Sequence, residues 1–327
     1  FMTLGAPLPH VFLAAAALTV PLGGPMPEPA VVQTTVAGLS KFLLLAIPFF
    51  LLAGNLLTRG GLADRLVRFA QAMVGHRRGG LAQTTLLTST LFSGASGSSV
   101  ANAAFGATTF GKELVRRGYS PPQAAALIAA TSTLDNVIPP SIAFLLLATA
   151  TGLSVGGLLY GGFFAGAVMV AALAVSFHLC ARETPTGRAA PASERLASAW
   201  GALPAFGLGL VVVLGIRYGL VTTTEAAALA AFYTLIAGIA GRKMRGADLA
   251  AAFRDSAVEA AAIGLLIGTA APFAFLLAVD GVGDWVAGLA AAVGHDPYVV
   301  LLIANLVLLV AGCLLDIGAA ILLLGPI

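Results

Sequence analysis

The sequence predicts an all-α polytopic membrane protein, and three observations support this fold class. Hydrophobic residues make up 59% of the 327 residues and charged residues only 9%, and the mean hydropathy is +0.97. A soluble globular domain carries roughly 25% charged residues. Apolar segments recur along the whole chain, and a spanning helix needs about 20 such residues. These segments lie near 4–22, 39–58, 81–111, 120–160, 160–181, 200–217, 225–241, 259–280 and 297–327.

Three polar connectors separate these segments, at 61–80, 182–198 and 241–256. The first and third alternate apolar and basic positions at helical spacing, which predicts amphipathic helices lying in the membrane interface. Two apolar segments do not fit a single span. Segment 81–111 is too long and rich in Ser, Thr and Gly, and segment 120–160 is about twice too long.

Basic residues flank segment 81–111 on both sides, with the pairs Arg77–Arg78 before it and Arg116–Arg117 after it. Lys and Arg concentrate on the cytoplasmic side of a membrane protein. A segment whose ends lie on the same side does not cross, so the sequence predicts a re-entrant hairpin. With this assumption, 15 of the 17 Lys and Arg residues are cytoplasmic, all except Lys41 and Arg217.

Membrane crossings counted onward from this hairpin place the start of segment 297–327 on the outer side of the membrane. Residues 86–106 and 302–325 share a pattern of an apolar arm, a polar or small tip and a second arm rich in alanine. The two hairpins would enter from opposite sides, which is what an inverted-topology repeat predicts.

A helix break is predicted inside segment 120–160, in the stretch TSTLDNVIPPSI at 131–142. Proline has no N–H, so Pro139 and Pro140 cannot bond the carbonyls of Asp135 and Asn136. Irregular backbone at membrane depth persists only inside protein or beside a watery cavity. The freed oxygens therefore favour a site for a small alkali cation. Hydroxyls near the break add further oxygens, from Ser132, Thr133 and Ser141.

The hairpin tip, SGASGSS at 93–99, predicts a neighbouring anion site. Its glycines allow a sharp turn, and its second arm begins there with free N–H groups and the positive end of a helix dipole. Cation and anion sites side by side indicate coupled uptake of an organic acid. Proline pairs and small residues also serve as packing devices in membrane helices, which is the alternative for each feature alone.

The chain resembles the large membrane (permease) subunit of TRAP transporters, the tripartite ATP-independent periplasmic transporters. The resemblance covers nearly the whole chain. The matching pieces are residues 46–82, LFSGASGSSVANAA (91–104), 116–127, IPPSI (138–142), 150–166, GLVTTTEAAALAAFY (219–233) and 296–316.

This resemblance implies an elevator-type transporter with inverted repeats, re-entrant hairpins and broken helices, located in the inner membrane of a bacterium or archaeon. It implies uptake of a carboxylate such as a dicarboxylate, coupled to sodium, with no other cofactor. The implied partners are a soluble periplasmic substrate-binding protein, a small four-helix membrane subunit and membrane lipid, and no nucleic acid. Another elevator-type anion transporter of the same superfamily is the alternative.

Carried over by position, the resemblance also implies site residues. Substrate-binding residues would be Ser96, Gly97, Ser98, Ser99, Pro139, Pro140 and Ser141. Sodium ligands would be Ser96, Ser132, Thr133, Asp135, Asn136, Gly312 and Asp316. The implied domains are scaffold with an interfacial helix (1–80), a first transport repeat (81–160), scaffold with an interfacial helix (161–258) and a second repeat (259–327).

The sequence departs from the family pattern in two places. The family often has glycine where Asp135 stands, which changes the local ligand set. The family also continues past Ile327 with a second hairpin arm and a second Pro-Pro break, so we expect both ends of this chain to be truncated.

Two other motifs give separate predictions. Thr222 and Glu225 are spaced as a helix capping box. The GxSG pattern at 94–97 also fits an intramembrane serine protease, with Ser96 as nucleophile and His178 as base. The break and the opposed hairpins would have no role in such a protease, so transport is favoured.

Overall fold

The computed structural model describes residues 6–24, 26–181, 189–241, 244–293 and 296–325. Regular secondary structure within these ranges is entirely helical. The α-helices are α1 (Leu8–Thr19), α2 (Glu28–Leu39), α3 (Ala46–Arg59), α4 (Leu62–Val74), α5 (Gly80–Ser96), α6 (Ser99–Gly106), α7 (Lys112–Arg116), α8 (Pro121–Ser132), α9 (Ile142–Thr151), α10 (Val155–Leu179), α11 (Ala192–Arg217), α12 (Thr223–Ala240), α13 (Gly246–Val279), α14 (Val282–Val293), α15 (Pro297–Leu314) and α16 (Ile317–Leu324). A π-helical turn, Ala107–Gly111, joins α6 to α7, and 3₁₀ turns lie at Phe42–Leu45 and Thr133–Asn136.

Five of the described helices are long and apolar enough to cross a membrane. The predicted all-α polytopic membrane fold is therefore confirmed. Segment 81–111 is not among them, in agreement with its interpretation as a hairpin. The five are Phe42–Arg59, Val155–Leu179, Ala192–Ile216, Thr223–Ala240 and Gly246–Val279.

The connectors follow the sequence predictions in part. Residues 61–80 form the amphipathic helix α4, which buries Leu62, Leu66 and Ala70 on one face. The prediction of a separate amphipathic helix at 241–256 is wrong, because Gly246–Val279 is one helix of 34 residues. Its charged residues are ordinary helix formers and nothing in its first turns breaks the backbone. Of the connector 182–198, residues 182–188 lie outside the described ranges, and α11 begins at Ala192.

The predicted capping box at the start of α12 is confirmed. The Thr222 hydroxyl accepts from the Glu225 N–H at 3.3 Å, and Glu225 Oε2 accepts from the Thr222 N–H at 2.7 Å. Two N–H groups that the helix leaves unpaired are thereby satisfied, which fixes where α12 begins.

The chain packs as two compact units, one of residues 45–145 and 154–259 and the other of residues 1–44, 146–153 and 260–327. In the first, which we call the hairpin unit, α3 packs against α12, and α4 against α5 and α11. Phe69 on α4 meets Phe206 on α11 edge to face, with ring centroids 5.0 Å apart. Arg59 at the end of α3 forms an ion pair with Asp255 on α13.

The other unit has its own small core. Ala16 and Met26 are fully or almost fully buried there, together with Val31 and Leu276. The Lys41 ammonium donates to the carbonyl of Thr149 in the last turn of α9. A cation at this end of a helix is favourable, because unpaired carbonyls and the negative end of the dipole meet there.

Candidate functional site

The segment predicted as a re-entrant hairpin does fold back on itself. Helix α5 ends at Ser96, and α6 begins at Ser99 and returns along it. The rings of Phe92 and Phe105, one on each arm, are stacked with centroids 5.0 Å apart. The packing of the two arms therefore confirms the turn at 97–98.

The side from which this hairpin enters can be tested with single cysteines. Arg78 and Lys112 are both exposed at the two bases of the hairpin. In a background with Cys180 and Cys313 replaced by serine, Arg78→Cys and Lys112→Cys should both be labelled by an impermeant maleimide from the cytoplasmic face of oriented vesicles. Labelling of the two positions from opposite faces would make 81–111 a true span and would contradict the inverted repeat.

The tip of this hairpin needs glycine at 97. Gly97 adopts φ +63°, in the left-handed region that L side chains rarely enter. A Cβ at this position would also lie 3.0 Å from the carbonyl oxygen of Pro140. The hairpin tip is thus in close contact with the Pro-Pro break. This agrees with the prediction that the anion site at the tip and the cation site at the break lie side by side.

The second arm begins with a partly capped N-terminus. The Ser98 hydroxyl accepts from the Ala101 N–H at 3.3 Å, and the Ser98 N–H faces Ser96 Oγ at 3.4 Å. Ser99 and Val100 lie in the first turn of α6, where a helix leaves the N–H groups without an intrahelical acceptor. The free N–H groups expected at the tip are therefore reduced in number by an internal cap, but not removed.

The predicted break between α8 and α9 is present. Helix α8 ends at Ser132, one 3₁₀ turn follows, and α9 begins only at Ile142. The carbonyl of Asn136, which the break was expected to free, accepts a hydrogen bond from the Ser141 hydroxyl at 2.7 Å. A carbonyl oxygen has two lone pairs, so one remains for a second partner.

Asp135 joins the break to the hairpin tip. Its carboxylate is fully buried, and Oδ1 accepts from the Ser96 hydroxyl at 3.0 Å, with Ser96 also fully buried. Ser93 and Asn102 lie within interaction range of the same carboxylate. Asp135 Oδ2 has no hydrogen-bond partner in the described part of the chain. Buried carboxylate oxygens are costly without a partner, so a further partner would be most favourable at this oxygen.

Two other predicted sodium ligands, Ser132 and Thr133, use their hydroxyls for hydrogen bonds within their own helix. Ser132 donates its hydroxyl to the carbonyl of Ile128 at 2.7 Å, and Thr133 donates to Ala130 at 2.8 Å. Both hydroxyls therefore bond to their own helix, although their lone pairs stay available as acceptors. The Thr133 side chain is exposed, unlike that of Ser132.

Sequence reasoning missed three positions around this cluster. Thr88 Oγ1 and Asn102 Oδ1 are buried without a partner among the described residues. Gly54 on α3 lets the backbone of that helix approach the tip, since a Cβ there would lie 3.0 Å from Ser96 Cα and Cβ. The hydroxyl-rich sequence of α5 was the available signal for Thr88, whereas Asn102 and Gly54 gave no such signal.

The second predicted hairpin lies in the other unit. Helix α15 ends at Leu314, and α16 begins at Ile317, with Asp316 as its N-cap. Asp316 Oδ2 accepts from the Gly318 N–H at 3.0 Å. Gly312 lies inside the last turn of α15 rather than in the break. Each hairpin thus has a two-residue break followed by a side-chain cap.

The protease alternative fails on the same geometry. Ser96 is fully buried and bonded to a carboxylate, whereas His178 is exposed in the last turn of α10. The serine therefore faces no histidine base in the described part of the chain.

Comparison with known proteins decides the family. Residues 1–327 match the family model described as the tripartite ATP-independent periplasmic transporter, DctM component. The chain belongs to this family. It is therefore a multi-pass TRAP permease subunit and not an enzyme. A transporter of the family also implies a small membrane subunit and a periplasmic binding protein.

Curated relatives agree with this assignment. The chain is 38% identical to a C4-dicarboxylate TRAP transporter large permease protein of Pseudomonas aeruginosa, over 88% of this chain and 68% of the relative. It is 32% identical to a 2,3-diketo-L-gulonate TRAP large permease of Escherichia coli, over 90% of this chain and 70% of the relative. It is 32% identical to an isethionate TRAP permease of Oleidesulfovibrio alaskensis, over 100% of this chain and 52% of the relative.

Proposed function

We propose that this TRAP permease imports a small organic carboxylate in symport with sodium. The substrates after which these relatives are named, a C4-dicarboxylate, 2,3-diketo-L-gulonate and isethionate, are all small organic anions. Within the chain, the observation that carries the proposal is the Ser96–Asp135 contact. It joins the hairpin tip and the helix break in one buried polar cluster.

Sodium would be held by oxygen atoms on both sides of this contact. Asp135 Oδ2 supports this, because a buried carboxylate oxygen without a donor is suited to a cation. Alkali cations are coordinated in such transporters by unwound backbone carbonyls and nearby oxygens. The proposed ligands of the first repeat are Ser96, Ser132, Thr133, Asp135 and Asn136. Gly312 and Asp316 would contribute to a second sodium site in the other repeat.

The carboxylate would bind beside the sodium, at the start of α6. The N–H groups of Ser99 and Val100 and the positive end of the helix are suited to an anion. The proposed substrate-binding residues are Ser96, Gly97, Ser98, Ser99, Pro139, Pro140 and Ser141. Sodium bound first would offset the negative charge of Asp135, which otherwise repels the substrate, and this makes the two bindings interdependent.

The partners and the movement that we propose for this transporter follow from the organisation of its family. The periplasmic binding protein would deliver the substrate, and the small four-helix membrane subunit would support the scaffold in the inner membrane. The repeats at 81–160 and 259–327 would move as an elevator against the scaffold at 1–80 and 161–258.

Uptake by the complete transporter in proteoliposomes tests the proposal. With the small subunit and the loaded binding protein present, an inward sodium gradient should drive accumulation of a labelled C4-dicarboxylate. Replacing sodium by potassium should reduce uptake to the level of empty liposomes. Equal uptake in the two salts would overturn the coupling. A panel of organic anions tested on the partner binding protein identifies the substrate separately.

A further inference from the structure

A polar cavity that contains none of the residues of the hairpin tip opens in the hairpin unit. It has a volume of about 850 Å³ and lies between α4, the first turn of α5 and the first turns of α11. Its basic lining residues are Arg65, Arg68, His76 and Arg117, and Glu194 is the acidic residue among those described. We call it the basic cavity. The residues that form it are predicted to be cytoplasmic.

The arginines of the basic cavity are only partly neutralised. Arg68 Nε donates to the Asp64 carbonyl at 3.4 Å, and Arg65 Nη1 donates to the Gly201 carbonyl at 3.5 Å. Both partners are backbone oxygens, and in the described residues neither arginine has a carboxylate partner. Arg117 forms an ion pair with Glu113 at 3.2 Å. His76 Nδ1 is buried without a partner among the described residues.

A helix start adds to this positive potential. Gly80, the first residue of α5, lines the basic cavity, and Gly79 before it gives the helix no side-chain cap. The 17-residue helix therefore presents the positive end of its dipole to the same space as the arginines. Guanidinium groups next to a helix N-terminus are a combination suited to a phosphate group.

The surroundings favour a phosphate carried by a lipid. Along α11, Glu194, Ser198 and Gly201 line the basic cavity. Farther round the same helix, Leu196 and Trp200 are exposed, at 61% and 67%. Tryptophan is typical of the headgroup level of a bilayer, so this part of α11 is expected at the membrane surface, where the phosphates of phospholipid headgroups are concentrated.

We propose that the basic cavity binds the phosphate of an anionic phospholipid, such as phosphatidylglycerol, on the cytoplasmic side. Basic pockets between membrane helices on this side are known headgroup sites. The bound lipid would fix α4 and α11 at the base of the hairpin arm α5. The inference does not depend on sodium coupling, since it uses none of the residues of the hairpin tip or the break.

Lipid retention by the purified complex tests this proposal. Native mass spectrometry of the complex, titrated with phosphatidylglycerol in mixed micelles, should show a specifically retained lipid. Arg65→Gln with Arg68→Gln should weaken retention at least about 10-fold, because each basic group near an anionic headgroup contributes to binding. Arg77→Gln with Arg78→Gln is the matched control, since it removes the same charge from exposed residues outside the basic cavity.

Each outcome decides the proposal. Equal weakening in the control variant would show general charge attraction and overturn a specific site. Arg68→Lys keeps the charge but not the planar fork and should also weaken retention, whereas retention equal to that of the unchanged complex would contradict a site built on guanidinium groups. Phosphatidylcholine should not be retained, and inorganic phosphate should not displace phosphatidylglycerol. Full displacement by inorganic phosphate would assign the basic cavity to a soluble anion instead.

Discussion

Replacement of Pro139 and Pro140 together by alanine is expected to reduce sodium-driven uptake at least about 100-fold. A proline inside a helix is about 3 kcal/mol less favourable than alanine, so two replacements favour a continuous helix by roughly 6 kcal/mol. Each 1.4 kcal/mol is a tenfold change in population, so the broken form would become a minor species. Helix α8 would then run into α9, and the carbonyls of Asp135 and Asn136 would return to helical partners.

The measurement is the initial rate of uptake by the reconstituted complex, with a matched proline control. Pro204 lies inside the continuous helix α11. Pro204→Ala should therefore leave uptake within about twofold, because it restores a bond without closing a break. Both proteins should elute as monodisperse complexes. Sodium-dependent uptake by the double variant near the original rate would contradict a role for the break.

The second large effect is expected from Asp135→Asn, which removes the charge and keeps the shape. If sodium neutralises this carboxylate, the sodium concentration for half-maximal uptake should rise at least about 10-fold. Insertion scales give an unpaired charge at the bilayer centre a cost of about 2.5–3.5 kcal/mol, and sodium binding would relieve part of it. The asparagine carbonyl can still accept from the Ser96 hydroxyl, so the contact between tip and break is retained.

Sodium titration of uptake, together with thermal unfolding, distinguishes a role of Asp135 as a sodium ligand from a purely structural role. Asp284→Asn is the control, because this exposed carboxylate lies in the first turn of α14. Ser96→Ala removes the hydroxyl that donates to Asp135 Oδ1 and should lower the melting temperature. A lower melting temperature for Asp135→Asn with unchanged sodium dependence would make the residue structural and refute the ligand role.

The parts of the fold that the sequence predicted are those with local causes. Gly97 and the Pro139–Pro140 pair alter the backbone where they stand, so the hairpin turn and the helix break could be predicted from their neighbours alone. The capping box of α12 is local in the same way, since Thr222 and Glu225 are three residues apart.

The parts of the fold that could not be predicted depend on tertiary contacts or, in α13, on the lack of a residue that terminates the helix. Ser96 and Asp135 are 39 residues apart in sequence, and only the packing of the hairpin against the break brings them together. Asn102 points its amide toward Ser89 on the opposite arm, which no periodicity reveals. The continuity of α13 was missed because a charged stretch suggests an interface, although charge alone does not end a helix.

The buried carboxylate of Asp135 has an electrical consequence, on the basis of the proposed elevator movement. When ionised and unoccupied, it makes the moving part of the protein carry a fixed negative charge through the membrane potential. One elementary charge crossing the full potential changes in energy by about 2.3 kcal/mol per 100 mV. In a cell that is negative inside, the empty carrier would be driven back toward the outside. The resting voltage would then act on the return of the empty carrier, because a sodium ion that offsets the Asp135 charge leaves the pair neutral on the inward step.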